Sequence, residues 1–489
     1  MMSRDSREPS LPCAERHSRD GDGAFVEELC EAAAALPPAP LLPRTVTRVR
    51  AEAAPQKDPY NAVVRWVDVS ADADSGALAG IGVSLKDSVA IGGIPLTAGS
   101  AALQGFIPSG DATVTRRLLE AGASIRAVTN MDDLAFSGAG DTSYYGPVRN
   151  PHDPAVLAGG SSGGAAASLF LDGIDVAIGT DQGGSVRLPA AWTGVYGLKP
   201  TFGRIPYTGV VGMEARLDHI GILARSPELM GRVLSVLDGP DGLDGRQAPW
   251  GRPLPAASGP VTVRVVTASL LHAEDRTRAL LERALRTWSD GGVIVEPTSF
   301  DPADHGPVPA ALFIEGALAT LRGTSAPWTG PAFYWEELQQ HLSRGVADHI
   351  HHLSPSFRFA LAAAEELQRR EPGRAYGRGL AARTRLIAAV DAALEGADFL
   401  VLPTAPCEAL PVGEGLSDVE RTTRGWGVLG NTGPFNVTGH PALSVPVAVS
   451  TGLPVGAMLV GRHNADEELL RFAQRLAGAD QQAGCHVER

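Results

Sequence analysis

An α/β fold carried by one large domain is predicted from three features of this 489-residue chain. Short apolar runs are punctuated by glycine, they alternate with amphipathic helical stretches, and strand-like runs return after a long helical middle. Apolar residues make up 44% and charged residues 20%, enough to build a sizeable core. The 57 glycines and 37 prolines fall below the level that signals disorder.

The elements follow in order. A first helix is expected from Ala24 to Leu36, with Asp22 as cap and Phe25, Leu29 and Ala33 at helical spacing. The cluster Pro37, Pro38, Pro40 and Pro43 ends it. Ile81 to Leu85 reads as a strand running into Lys86-Asp87, followed by a helix from Asp111 to Ala121 and a strand from Ser124 to Val128. Ala165 to Leu171 reads as a buried helix and Val176 to Gly179 as a short strand. Between Leu237 and Leu394 the chain turns polar and helical, most clearly over 276–290 and 360–394. Strands at 398–402 and 455–460 and a helix at 466–476, with Asn464 as cap, complete the pattern. The expected plan is a disordered tail over 1–23, one domain over 24–478 with 237–394 inserted as a variable helical cap, and a short tail over 479–489.

Charge and cysteine usage exclude several classes. The chain has 42 basic and 55 acidic side chains, a net charge of −13, and no basic block, which argues against nucleic acid or an anionic membrane as partner. The longest low-charge stretch, 155–178, contains Asp172, Asp175 and many glycines, so no membrane span is expected. The charged N-terminus has no apolar core of a signal peptide. Cys13, Cys30, Cys407 and Cys485 are widely spaced and form no CxxC pair, which reads as reduced thiols in a cytoplasmic enzyme without a zinc site.

Two glycine-flanked serine clusters carry the candidate chemistry: Gly159-Gly-Ser-Ser-Gly-Gly164 and Asp181-Gln-Gly-Gly-Ser185. Glycine lets backbone amides approach and converge on an anion, so Gln182, Gly183, Gly184 and Ser185 suit an oxyanion hole, although tight turns give the same pattern. Gly160 to Gly164 also fits the GxSxG elbow with Ser162 as nucleophile and His440 as the available base, without a clear acid partner. Lys86 sits in an apolar strand context. Exposed at a strand end it would be ordinary; buried, a three-unit fall from about 10.4 costs about 4 kcal/mol and creates a neutral general base. Other signals are weaker. Asp348-His-Ile-His-His352 reads as solvated chain, Asp238 to Gly245 as a turn lacking the final Glu of a calcium loop, and Trp250, Trp328, Trp335 and Trp426 as core or pocket wall.

Taken together, Gly159 to Gly164, Gly179-Thr-Asp-Gln-Gly-Gly-Ser-Val-Arg-Leu-Pro-Ala190 and Gly197-Leu-Lys-Pro-Thr-Phe-Gly-Arg204 resemble the amidase signature family. Leu85-Lys-Asp87, Thr97 to Ser100, Thr129 to Asp132, Arg149 to Pro151, Asn436 to Pro446 and Gly452 to Gly456 extend the resemblance over about 60–235 and 395–478. It implies an α/β/α sandwich around a large, mixed, twisted sheet. It also implies a triad of Ser185 as nucleophile, Ser161 behind a cis peptide bond as proton bridge, and neutral Lys86 as base. Gln182 to Ser185 would supply the oxyanion amides and the pair Asp181–Arg187 would brace the loop. The implied activity is hydrolysis of a small-molecule amide through an acyl-enzyme, with no metal or organic cofactor. Acyl transfer, a glutaminase subunit of an amidotransferase, and an inactive scaffold are the alternatives, and a homodimer is compatible with the sequence. The chain departs from the family at Asp133, Ser137-Gly138 and Ala127-Val-Thr129. The loop Phe136, Ser137 and Gly138 is therefore expected to line an acyl pocket of unusual specificity.

Overall fold

The computed structural model describes residues 20–37, 41–71, 75–247, 259–305, 307–321, 333–447 and 452–482. It divides into two units, up to Pro40 and from Leu41 onward. The first contains the helix Asp20–Ala34, longer at its start and shorter at its end than the periodicity predicts. Residues 1–19 of the expected N-terminal tail and 483–489 of the C-terminal tail lie outside the described residues, as do Cys13, Cys485, Trp250 and Trp328.

The second unit is built on one mixed sheet. In chain order its strands are β1 (Val49–Glu52), β2 (Val63–Ser70), β3 (Gly82–Lys86), β4 (Ser124–Thr129), β5 (Val176–Asp181) and β6 (Tyr196–Lys199). They continue with β7 (His219–Ala224), β8 (Thr262–Val266), β9 (Ile294–Thr298), β10 (Phe399–Pro403), β11 (Ala442–Val447) and β12 (Val455–Gly461). The spatial order is β1-β2-β4-β3-β5-β7-β6-β11-β12-β10-β8-β9. The blocks β4-β3-β5 and β10-β8-β9 are parallel, and the strands between them pair antiparallel.

The central strands are buried on both faces, which explains their near-continuous apolar sequences. Side chains alternate between two cores. Val176 and Ile178 enter one and Ala177 the other; Ala457 and Leu459 enter one, Met458 and Val460 the other. Leu118, Val233 and Leu469 bring the helices Thr113–Glu120, Pro227–Leu237 and Asp466–Gln482 to the first face. The opposite face receives Ala165, Ala190 and Leu386 from the helices Gly163–Ser168, Arg187–Thr193 and Arg374–Leu394. This is the expected α/β/α sandwich.

Two expectations need correction. The middle region does more than form a helical cap, because its β8 and β9 extend the sheet beyond β10. The single helix expected over 360–394 is two, Pro355–Arg370 and Arg374–Leu394. Pro372 and left-handed Gly373 (φ 67°) divide them, as a ring that removes an N–H and a residue that favours positive φ must.

Candidate active site

β3 and β5 run parallel as neighbours, so their carboxyl ends open on the same edge of the sheet, where α/β folds place ligands. Lys86 ends β3 and Asp181 ends β5. The strap 159–162 crosses nearby and leads into Gly163–Ser168, a helix of Gly, Ala and Ser only. Small residues are required there: a Cβ on Gly164 would stand 2.4 Å from the carbonyl oxygens of both Ala62 and Asn130. The peptide bond Gly160–Ser161 is cis. A Cβ on Gly160 would lie 1.8 Å from Asp132 Oδ2, so only glycine fits against that buried carboxylate.

Lys86 is completely buried. Its Nζ lies 2.7 Å from Ser161 Oγ, 2.8 Å from Thr180 Oγ1 and 3.4 Å from the Thr180 carbonyl oxygen. Burial brings its amine down to about 7, although Asp132, Asp181 and Asp218 favour the charged form. Ser185 is held beside the strap because Ser162 N donates to the Ser185 carbonyl oxygen at 3.0 Å. Ser185 faces a cavity together with Gln182 and Gly183.

The loop 182–186 is set by Asp181. Its carboxylate accepts from Gly184 N at 2.8 Å and Val186 N at 3.1 Å. It is bound on its other side by Arg187 Nε at 3.0 Å and Nη2 at 2.8 Å, with both side chains fully buried. Burial would raise the Asp181 carboxyl, but the Arg187 guanidinium and the Asn436 amide hold it well below the usual carboxylate range. The Gly184 amide is therefore committed to Asp181, which removes it from the expected oxyanion set. Gln182, Gly183 and Ser185 retain amides that make no hydrogen bond among the described residues. Gly184 itself has φ 137°, and a Cβ there would meet Thr432 Oγ1 at 2.1 Å.

Other members of this network have no role assigned by the sequence. Asn436 Nδ2 donates to Asp181 Oδ1 at 2.9 Å, Arg187 Nη1 donates to the Thr432 carbonyl at 3.0 Å, and Gln182 Nε2 donates to Tyr207 Oη at 2.8 Å. Asp132, buried behind the strap, accepts from Gly140 N at 3.0 Å and from Thr142 N at 2.9 Å. Burial, reinforced by Asp141, raises its carboxyl to about 7. Asn436 opens one of the stretches that carry the family resemblance, whereas Tyr207 and Thr432 carry no local signal.

The cavity has a volume of about 440 Å³. Phe136, Phe313, Ile314, Trp426 and Leu429 supply much of its apolar wall, and His272 and Asp301 its ionisable groups. Among the described residues no lysine or arginine lines it. Phe136 is clamped between Phe313 and Phe357, each with ring centroids 4.9 Å away, and its carbonyl accepts from Trp426 Nε1 at 2.8 Å. Of the three loop residues expected at an acyl pocket, Phe136 lines this cavity, and Ser137 and Gly138 do not. Ser137 Oγ turns back to Ala139 N at 3.1 Å, and Gly138 N donates to the Gly425 carbonyl at 2.9 Å.

The elbow alternative fails on geometry. Ser162 is fully buried with its hydroxyl donated to the Thr180 carbonyl at 3.1 Å, and His440 Nε2 faces Asp391 at 3.0 Å. The 348–352 histidines fall at the end of the helix Glu336–His349 and in the single turn after it. Asp241 and Asp244 tie the 238–247 turn to its own backbone and to Arg246. Trp335 is buried, and Cys30 and Cys407 are free thiols. No helix among the described residues is long and apolar enough to cross a membrane.

Comparison with known proteins identifies the family. The family description Amidase matches residues 58–470. An enantioselective amidase of Rhodococcus rhodochrous is 38% identical over 418 residues, covering 82% of this chain and 80% of that protein. A glutamyl-tRNA(Gln) amidotransferase subunit of Thermus thermophilus is 34% identical over 423 residues, covering 84% of this chain and 86% of its own length. Among solved structures, an amidase superposes with a TM-score of 0.68 at 29% identity, covering 82% of this chain and 85% of its own. A 6-aminohexanoate cyclic dimer hydrolase bound to substrate gives a TM-score of 0.68 at 25% identity, covering 83% and 86%. By the extent of the family match, the identity to its relatives and the fold they share, this chain belongs to the amidase family, the amidase signature enzymes.

Proposed function

We propose that the protein hydrolyses a carboxylic amide with an apolar acyl group through an acyl-enzyme on Ser185. One observation carries the reading: a wholly buried lysine, brought to about 7, lies 2.7 Å from the hydroxyl of Ser161. In its neutral form the Lys86 lone pair accepts the Ser161 proton while Ser161 accepts the proton of Ser185. Ser185 Oγ then bonds to the amide carbon, and the electron pair of the carbonyl moves onto oxygen. The amides of Gln182, Gly183 and Ser185 stabilise that oxyanion in a water-poor site. On collapse the C–N bond breaks, and the relay returns the proton to the departing nitrogen. Water repeats the sequence on the ester and releases the acid.

The cavity lining supports an uncharged, apolar acyl half, for which aromatic walls supply buried area. A glutaminase subunit is the second reading, favoured by the amidotransferase relatives. A glutamine α-carboxylate would enter this cavity without a cationic partner among the described residues, at a desolvation cost of several kcal/mol. The test combines a fluorophosphonate probe with a panel of carboxamides read by ammonia release. Labelling should disappear in Ser185→Ala, and phenylacetamide or hexanamide should be turned over faster than glutamine. Labelling that survives Ser185→Ala refutes the nucleophile; faster turnover of glutamine refutes the acyl preference.

A further inference from the structure

Outside the active site, Asp391, His440 and His463 bring one ligand atom each to within 4.8 Å of one another. They come from distant parts of the chain. Asp391 lies in the last turn of the helix Arg374–Leu394, His440 just before β11 and His463 just after β12. The register explains the meeting: Ala442 pairs with Val460 in antiparallel strands, so the entrance of β11 and the exit of β12 share one end of the sheet. The two imidazoles lie with centroids 4.0 Å apart and planes 37° apart.

We propose that these three side chains form a binding site for a divalent cation of the zinc class. Two imidazole nitrogens and one carboxylate oxygen suit Zn2+, Co2+ or Ni2+ better than Mg2+ or Ca2+, which prefer oxygen throughout. His440 Nε2 and Asp391 Oδ1 already stand 3.0 Å apart, close to the edge of a tetrahedral ligand set. His463 Nε2 lies 3.1 Å from the Thr438 carbonyl, which can only accept, so the proton sits there and Nδ1 carries the lone pair. Lys199 Nζ donates to the His440 carbonyl at 2.6 Å and fixes the backbone beneath the site.

His440 is fully buried with Nε2 toward Asp391, and its Nδ1 has no hydrogen-bond partner among the described residues, so the ring can exchange the Nε2 proton for an ion. On cation binding the imidazole proton moves from Nε2 to Nδ1, and Nε2 donates its electron pair to the ion; no proton is lost and no charge is created on the ring. The exposed side of Asp391 gives the ion a path from solvent and leaves a position for water. The bound ion would tie the helix to both strand ends, so its effect is on stability.

The experiment uses the full chain, stripped by a chelator and titrated with Co2+ alone under visible absorbance, with Zn2+ as competitor. One Co2+ per chain with the intense bands of four-coordinate cobalt is expected, displaced by Zn2+. Asp391→Asn and His463→Ala should each weaken binding by at least about 100-fold, since loss of an outer-shell partner alone costs about 10–100-fold. Zn2+ should also raise the Tm of the parent protein and not that of Asp391→Asn, which is exposed and tolerates the change. A cobalt spectrum of the six-coordinate aquo ion, or equal affinity in the parent and Asp391→Asn, would overturn the site.

Discussion

Lys86 should govern how the reaction depends on pH. Burial takes its amine from 10.5 to about 7. That displacement is worth about 5 kcal/mol at about 1.4 kcal/mol per unit. Near pH 7 about half of the enzyme then carries the neutral base, against about one part in 3,000 for a lysine with an ordinary value. For a substrate that does not titrate, kcat/KM should rise about tenfold per pH unit below about 7 and level off above it. Stability moves with the same group. The unfolded lysine keeps its proton up to 10.5 and the folded one only to about 7, so the unfolded state binds more protons across that window. Stability therefore rises with pH there, by up to about 1.4 kcal/mol per unit from this residue, and below it the buried charge is fully destabilising. Lys86→Met should abolish turnover and flatten that rise. Ammonia release across the pH range, with urea melts of both proteins at about pH 7 and about pH 9, measures both effects; over that interval the parent should gain about 2.3 kcal/mol more stability than the variant, the lysine being already half titrated at the lower pH. An inflection in kcat/KM near 10, or parallel stability curves for parent and variant, would refute a neutral buried base.

Further outcomes follow from the same geometry. Gly184→Ala places a methyl against Thr432 Oγ1 at a positive φ, so the amides beside Ser185 should shift. The kcat should fall by about 10²-fold, as for loss of one oxyanion donor, with phosphonate labelling slowed in proportion. Arg187→Met leaves the Asp181 carboxylate buried and unpaired, which should destabilise the fold by about 3–5 kcal/mol, read as a lower urea midpoint. An unchanged midpoint would mean that the pair does not brace the loop. Phe136→Ala removes the ring clamped by Phe313 and Phe357 and should cost about 3–5 kcal/mol. Its kcat/KM for phenylacetamide should drop more than that for propionamide, and an equal drop for both would remove Phe136 from the acyl wall.

The sequence by itself determined the sheet-forming runs around the site and its chemical groups. Local signals suffice there: glycine where backbones must touch, serine between glycines, and a lysine closing an apolar strand at 82–86. Tertiary structure decided the surroundings of those groups. Only packing shows that Lys86 loses water on all sides and meets Ser161 and Thr180, because burial is a property of neighbours about 75 and 94 residues away. Only the fold commits the Gly184 amide to Asp181 and turns Ser137 and Gly138 away from the cavity while Phe313 and Trp426 complete it. The pairing of β8 and β9 with the far edge of the sheet was equally hidden, since their short runs lie among helices and strand partners are chosen across the sheet. A residue type is written in one place along the chain; its solvation, charge state and partners are set by groups that arrive from elsewhere.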